Sequence, residues 1–254
     1  MNKDEEEVIM WSEDLVLKTK EVEKENPEVA AIIHEIEENQ DMFFSHISHE
    51  LRNVLTLMNS SLQFLEKTHP EIMMYKYWKE VNKDCQYMLS FINQMSDYNN
   101  SIKLNYKRVD LYKLLRETYQ ACLPLTENTE KVLTFRCQSD IPAIYADQTK
   151  LYEAFLNLIK NALEAVDDAG TVNVTLTTDE KTIRISIEDD GCGIEAEKLA
   201  HIFEPFVTYK PGGTGLGLSV VKRIVDAHEG RITVYSSIGK GTTMTITLPK
   251  VLQK

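Results

Sequence analysis

Glycine is absent from the first 169 residues of this 254-residue chain, and only Pro27 and Pro70 interrupt the first hundred. A stretch so poor in turn formers excludes a strand-rich N-terminal half and leaves long helices as the expectation. No apolar run approaches the ~18 residues of a membrane span. The opening MNKDEEEVIM lacks the basic-then-apolar order of a signal peptide. A cytoplasmic protein with no direct membrane span is expected. No two of Cys85, Cys122, Cys137 and Cys192 stand at a metal or redox spacing, so all are read as reduced thiols. There is no basic stripe, which excludes nucleic acid as a partner. The net charge is −12, and residues 1–41 carry −10 of it, a composition that reads as a solvated helical face.

In place of turns, the first hundred residues carry two helical patterns. Phe44, Ile47, Leu51, Val54, Met58, Leu62 and Leu65 recur at helical spacing. THPE at 68–71 breaks this pattern, and Tyr77, Val81, Met88, Leu89, Ile92 and Met95 form a second. Two amphipathic helices joined by a short loop make an antiparallel hairpin. One hairpin cannot bury both of its faces, so a homodimeric four-helix bundle is predicted. The polar stretch SIKLNYKRV, residues 101–109, reads as a linker. Beyond it the period shortens: β-type runs at 132–137, 172–178, 182–188, 231–237 and 242–248 mix with helical patterns at 111–121, 148–166 and 216–228. Strands and helices that do not strictly alternate predict an α+β sandwich.

FFSHISHELRNVL at 43–55 places two histidines three apart. At ~100° per residue from Ile47, Leu51, Val54 and Met58 fall within about 40° of the apolar stripe, His49 at about 200° and His46 at about 260°. Periodicity alone makes both surface residues. Glu50, beside His49, can accept a proton from one ring nitrogen and make the other nucleophilic. Asn53, one turn on, can orient a water. Together they form a plausible phosphoryl-transfer face.

A nucleotide site is spelled out further on. Asn157 and Asn161 in NLIKNA stand at i, i+4, and their amide oxygens suit Mg²⁺ carrying phosphates. The bland alternative, two solvent-facing asparagines, leaves two poor helix formers among Leu and Ile unexplained. In DDGCGI, Asp189 can accept a hydrogen bond from an exocyclic amine such as adenine's, while Gly191 and Gly193 let the backbone come close; a simple turn is the alternative. KPGGTGLGLSVV then runs Gly212, Gly213, Gly215 and Gly217 into an apolar helix, a general phosphate site to which Lys210 adds charge. The spacing fits neither the P-loop nor the GxGxxG fingerprint.

The order SHISHELRN, NLIKNALEA, DDGCGI, IFEPF, GGTGLGLS and GKGTTMTITLP resembles the kinase core of bacterial sensor histidine kinases over residues 41–249. The resemblance implies an acidic helical segment (1–40), a dimerisation and histidine-phosphotransfer hairpin (41–103), and a Bergerat-type (GHKL) ATP-binding domain (104–254). It implies that His49 accepts the phosphoryl group, with Glu50 as acidic partner and Asn53 at the position that supports phosphatase activity. Asn157 and Asn161 match the N-box, where Asn161, with Asn157 as a second candidate, would hold Mg²⁺. Asp189, Gly191 and Gly193 match the adenine-reading box, and Phe203 and Phe206 the F-box. Lys210, Gly213, Thr214, Gly215, Leu216 and Gly217 match the lid over the phosphates, and Thr242 the last glycine box. ATP and Mg²⁺ are the implied cofactors. A second copy of the chain and a response regulator receiver domain are the implied partners, with a signal-giving protein at the N-terminal segment.

ATP-hydrolysing relatives of the gyrase and chaperone types carry Glu where this chain has Asn157, and an amide is no base at neutral pH. The γ-phosphate is therefore expected to go to a protein nucleophile. Two other readings stay open: a phosphate-relaying scaffold that does not use ATP, and a serine kinase of the same ATP fold. The chain departs from the family at Val54, where proline is usual. Proline inside a helix removes a hydrogen bond and bends it, so Val54 gives a straighter, stiffer first helix. Val54→Pro is expected to speed the switch between kinase and phosphatase states; autophosphorylation and phosphatase rates identical to those of the wild type would rule this out.

Overall fold

The computed structural model describes residues 26–250, apart from Ser139 and Pro211. The acidic segment up to residue 25 lies outside the described residues. The chain divides into two compact units, one ending at Asn100 and the other beginning at Ser101. No helix among the described residues is long and apolar enough to cross a membrane.

The first unit is a helical hairpin. Helix α1 (Pro27–Thr68) begins where Asn26 Oδ1 accepts the Val29 amide at 3.3 Å, with Pro27 in its first turn. Pro27 stands at the first position of this helix, where proline's missing N–H has no partner to lose. The helix then runs without interruption across residue 41. It stops at Thr68, a short 3₁₀ turn spans Pro70–Met74, and α2 (Lys76–Asn100) returns.

The face that α1 turns toward α2 is not the apolar stripe that periodicity picks out. The more enclosed positions are Ser48, Arg52, Leu55, Asn59, Leu62 and Glu66 on α1, and Trp78, Asn82, Cys85, Leu89, Ile92 and Ser96 on α2. Both sets follow a 4–3 spacing, the seam of left-handed helix packing. Much of this seam is polar and joined by side-chain hydrogen bonds. Glu66 Oε1 accepts from Trp78 Nε1 at 2.8 Å and from Asn82 Nδ2 at 2.7 Å. Asn59 Oδ1 accepts from Gln86 Nε2 at 2.8 Å, and Arg52 Nε donates to Asn93 Oδ1 at 2.9 Å. On α1 these ties recur every seven residues, and shifting the register of the helices would break all of them. Leu51, Val54, Met58 and Leu65, the stripe expected to be buried, stay exposed in the single chain.

The second unit is a two-layer α/β sandwich. A five-stranded sheet has the order β2-β4-β5-β7-β6. Its strands are β2 (Val132–Cys137), β4 (Thr171–Thr178), β5 (Thr182–Asp189), β6 (Arg231–Ser237) and β7 (Gly241–Pro249). β2 and β4 are parallel and every other pair is antiparallel. The three central strands alternate along most of their length. Val172, Val174 and Leu176, then Ile183, Ile185 and Ile187, then Met244, Ile246 and Leu248 are buried, while the residues between them are more exposed. Each such side chain contributes ~1.5–3 kcal/mol on burial. Helices α3 (Leu111–Cys122), α4 (Gln148–Ala165) and α6 (Gly217–Ala227) pack against the sheet; α5 (Ala196–Leu199) is one turn.

Residues 101–109, expected to be a linker, are part of this unit. β1 (Lys107–Val109) pairs antiparallel with β3 (Ile144–Ala146). The Asn105 amide donates to Asp147 Oδ2 at 2.7 Å, and Tyr106 Oη donates to the Ala227 carbonyl at 2.9 Å. Polar composition signals a linker only when nothing takes up the polar groups, and here the fold does.

Asp147 also caps α4 and donates its own amide to Nε2 of the buried His228 at 2.9 Å; the Nδ1–H of His228 donates to the Ile224 carbonyl at 2.7 Å. Both ring nitrogens are used by the neutral tautomer. Burial pushes the His228 pKa below its ordinary 6.5, against the opposing pull of the Ile224 carbonyl and the Asp147 charge. The unfolded chain thus binds this proton more tightly, so the stabilisation is present above the unfolded pKa and is lost as pH falls through the lowered native value. Burial raises the Asp147 pKa, but backbone donors outweigh it and leave the group below 3.8, outside this window. The melting temperature is expected to fall between about pH 7 and about pH 5, and His228→Gln should flatten that slope. An unchanged slope would place the pH dependence elsewhere.

Candidate nucleotide site and phosphoacceptor face

The candidate site on the second unit is built where the end of β5, the Gly191–Gly193 turn and the start of β7 meet. Asp189 is the last residue of β5, buried to 7% exposure, and pairs in register with Thr242. Its Oδ1 accepts the Gly191 amide at 3.0 Å and the Thr242 amide at 3.2 Å. Oδ2 takes no hydrogen bond among the described residues and is the oxygen available to a ligand's amine. Burial pushes the Asp189 pKa up, the Gly191 and Thr242 amides and Lys210 pull it back, and Asp190 adds to the rise. A desolvated carboxylate with one oxygen pinned is a strong, directional acceptor.

The glycines around it are required by space. A Cβ on Gly241 would lie 1.8 Å from the Asp189 carbonyl oxygen, and one on Gly193 2.1 Å from that of Ser237. Both residues have positive φ, 93° and 69°. Thr242 Oγ1 is 2.8 Å from Ser236 Oγ, and Ser236 Oγ takes the Ile194 amide at 2.8 Å. The Asp189 box and the strand pair β6–β7 are thereby tied together.

On α4, Asn157 and Asn161 lie one turn apart and half-buried. Gly217, which opens α6, would carry a Cβ 3.5 Å from Asn157 Oδ1, so the Asn157 amide lies against that helix's N-terminus. Asn161 Oδ1 accepts from Lys210 Nζ at 3.2 Å, and Glu164 Oε2 takes the same ammonium at 2.8 Å. The Lys210–Glu164 pair is about half-exposed, 48% and 62%, and is worth ~0–1 kcal/mol. Neutral amide oxygens, one of them already serving a cation, fit a magnesium ion that takes most of its ligands from phosphates and water. Among the described residues no cluster of three His, Cys, Asp or Glu offers a cage of its own.

The glycine-rich loop expected to be a lid is closed at its base, where the Phe206 amide donates to the Gly215 carbonyl at 3.0 Å. Phe206 is 54% exposed with φ 67°, whereas Phe203 is buried. The two F-box rings therefore do not form one surface: Phe203 anchors the loop and Phe206 is displayed. Leu216, taken with the lid, is fully buried and also an anchor. Gly213 and Thr214 are half-buried on the loop, and Gly213 leaves room for Thr208, whose Oγ1 would be 2.4 Å from a Cβ there.

On α1 of the hairpin, His49, Glu50 and Asn53 are all exposed. So is His46; exposure does not separate the two histidines. Residues that sequence reasoning missed are Gly241, Ser236 and Glu164. Glu164 was legible as i+3 from Asn161 and Gly241 as the neighbour of Thr242, but Ser236 enters only through the register of β6 with β7.

Residues 146–252 match the family described as Histidine kinase-, DNA gyrase B-, and HSP90-like ATPase, and residues 39–101 match the His Kinase A (phospho-acceptor) domain. Sporulation kinase E of Bacillus subtilis is 32% identical over 204 residues, 80% of this chain and 28% of that protein. Sensor histidine kinase ZraS of Escherichia coli is also 32% identical over 204 residues, 80% of this chain and 44% of that protein. The chain thus spans less than half the length of these curated relatives. Full-length ShkA in complex with AMPPNP superposes with TM-score 0.73 at 26% identity, covering 84% of this chain and 47% of that one. The nucleotide-free catalytic domain of histidine kinase ThkA superposes with TM-score 0.54 at 29% identity, covering 58% of this chain and 97% of that one.

Asp189→Asn keeps the shape and one oxygen for the two backbone amides, but turns an NH₂ toward the ligand. Adenine-nucleotide binding, measured by calorimetry, is expected to weaken roughly 10- to 100-fold, the loss of one charge-assisted hydrogen bond, with the fold intact by thermal melting. Unaltered affinity would remove Asp189 from the site.

Proposed function

This chain belongs to the bacterial sensor histidine kinase family, and from that premise we propose that it moves the γ-phosphoryl group of ATP onto His49, and from there onto an aspartate of a separate response regulator receiver domain. The observation that carries this reading is Asn157. Its carboxamide lies at the N-terminus of α6 beside the glycine loop, and an amide cannot activate water. The acceptor is then a protein nucleophile, and an exposed histidine with an acidic neighbour stands on α1.

In the first step a neutral His49 nitrogen attacks γ-phosphorus in line. The new N–P bond forms as the bond to the β–γ bridging oxygen breaks, and ADP leaves. Glu50 takes the hydrogen bond of the other ring nitrogen and stabilises the positive charge that develops on the imidazole. Asp189 orients the adenine through Oδ2, and the backbone amides at the start of α6 face the phosphates. Asn161 Oδ1, with Asn157 as a second candidate, would hold a magnesium ion arriving with the nucleotide, which would supply neutralisation of phosphate charge. In the second step the N–P bond is exchanged for an aspartyl phosphate on the receiver domain. Asn53, one turn beyond His49, orients a water for the opposing phosphatase activity, in which the water attacks phosphorus, the aspartyl O–P bond breaks and inorganic phosphate leaves.

The exposed stripe Leu51, Val54, Met58 and Leu65 supports a homodimer. Four large apolar residues on one helical face, outside the hairpin's own seam, are what a second hairpin would bury in a four-helix bundle.

Incubation with γ-labelled ATP and Mg²⁺ tests the reading. Acid-labile, base-stable label is expected on the wild type and on His46→Ala, and none on His49→Ala. Label that survives in His49→Ala, or appears on a partner's serine, would replace the histidine reading with the serine-kinase one.

A further inference from the structure

Lys210 makes a contact that phosphate binding does not call for. Its ammonium spans Asn161 Oδ1 at 3.2 Å and Glu164 Oε2 at 2.8 Å. We propose that Glu164 is a positioning residue that parks Lys210 on Asn161, so that an internal cation holds the amide oxygen until the magnesium–nucleotide complex displaces it. This inference rests on the nucleotide-site reading above.

The geometry follows from α4. Asn161 and Glu164 stand at i, i+3 and present their oxygens to the same side, as far apart as one ammonium can bridge. Lysine supplies three donors on a flexible stem, so a single residue from the facing loop serves both. The arrangement is balanced in charge: one carboxylate, one ammonium and one neutral amide. It cannot persist with a metal present, because a dication bound to Asn161 at ~2.1 Å and an ammonium on the same oxygen repel. The phosphates arriving with the metal offer the displaced lysine a better partner than a half-exposed carboxylate. The loop that carries Lys210 stays closed at its base through the Phe206–Gly215 hydrogen bond, so side-chain rotation suffices.

The pair is exposed enough to break readily. Its effect is to set how far magnesium and nucleotide bind as a unit. Without metal, nucleotide can enter while Lys210 remains on Asn161; with metal, Lys210 must leave. Glu164 thus weighs only on the metal-dependent part of binding.

Two measurements on the full chain test this. The first is the rate of acylation of Lys210 by an amine-reactive reagent in nucleotide-free protein, read by peptide mass spectrometry. The second is the dissociation constant of ADP with Mg²⁺ and with EDTA. Glu164→Gln is expected to speed Lys210 acylation roughly two- to fivefold, the size of one exposed ion pair. It should tighten ADP binding by a similar factor with Mg²⁺ and leave binding in EDTA unchanged. Equal acylation in the two proteins, or equal tightening with and without metal, overturns the proposal. If the wild type binds no ADP while Glu164→Gln still frees Lys210, the nucleotide-site reading fails and the ion pair stands.

Discussion

The second unit depends on one close approach. The backbone of Gly241 passes the Asp189 carbonyl so tightly that a Cβ would lie 1.8 Å from its oxygen. That contact brings the start of β7 beside the end of β5, which lets the Thr242 amide reach Asp189 Oδ1 and fixes the carboxylate's orientation. Gly191 completes the clamp from the other side. With Oδ1 held by two backbone donors, Oδ2 has one direction left. The setting of the Asp189 carboxylate is therefore a consequence of sheet register as much as of side-chain choice, and a methyl group at residue 241 would disturb both.

The hairpin follows a different logic. Each helix has two faces to cover, and they are covered by different chemistry. Inside the hairpin the seam mixes apolar side chains such as Leu55 and Ile92 with hydrogen-bonded polar ones, such as Glu66 with Trp78 and Asn82. Such ties specify register more than they add stability, because folding exchanges them for bonds to water. The apolar stripe lies on the neighbouring face. The mixed inner seam leaves the apolar outer face, Leu51, Val54, Met58 and Leu65, uncovered within the chain. His49 and Asn53 lie outside the inner seam and remain open to solvent.

The lid region joins stiff and loose parts. Phe203 and Leu216 are buried anchors, and the Phe206–Gly215 bond closes the loop between them. Within that frame Lys210 is held only by half-exposed partners. Rigid ends and a weakly held charge leave Lys210 able to change partners without costing the domain its packing.

Residue order alone determined much of this protein. Glycine-free amphipathic segments fixed the hairpin, since helical period and the lack of turn formers leave little alternative. Strict alternation in TVNVTLTT and TIRISIE fixed strands that the structure places within a residue of their expected ends. Asn157, Asn161 and the glycine loop stood out as candidates because Asn within a helix and clustered Gly are costly and need a reason to be there. What only the tertiary structure decided depends on contacts distant in sequence. The inner seam of α1 lies one position off the apolar stripe, because α2 offers hydrogen bonds there and the stripe has no cover within the chain. The stretch 101–109 is part of a domain because β3, Asp147 and Ala227 take up its polar groups. Ser236 joins the site, and Lys210 meets Asn161, only through strand register and loop closure, which no local pattern of residues encodes.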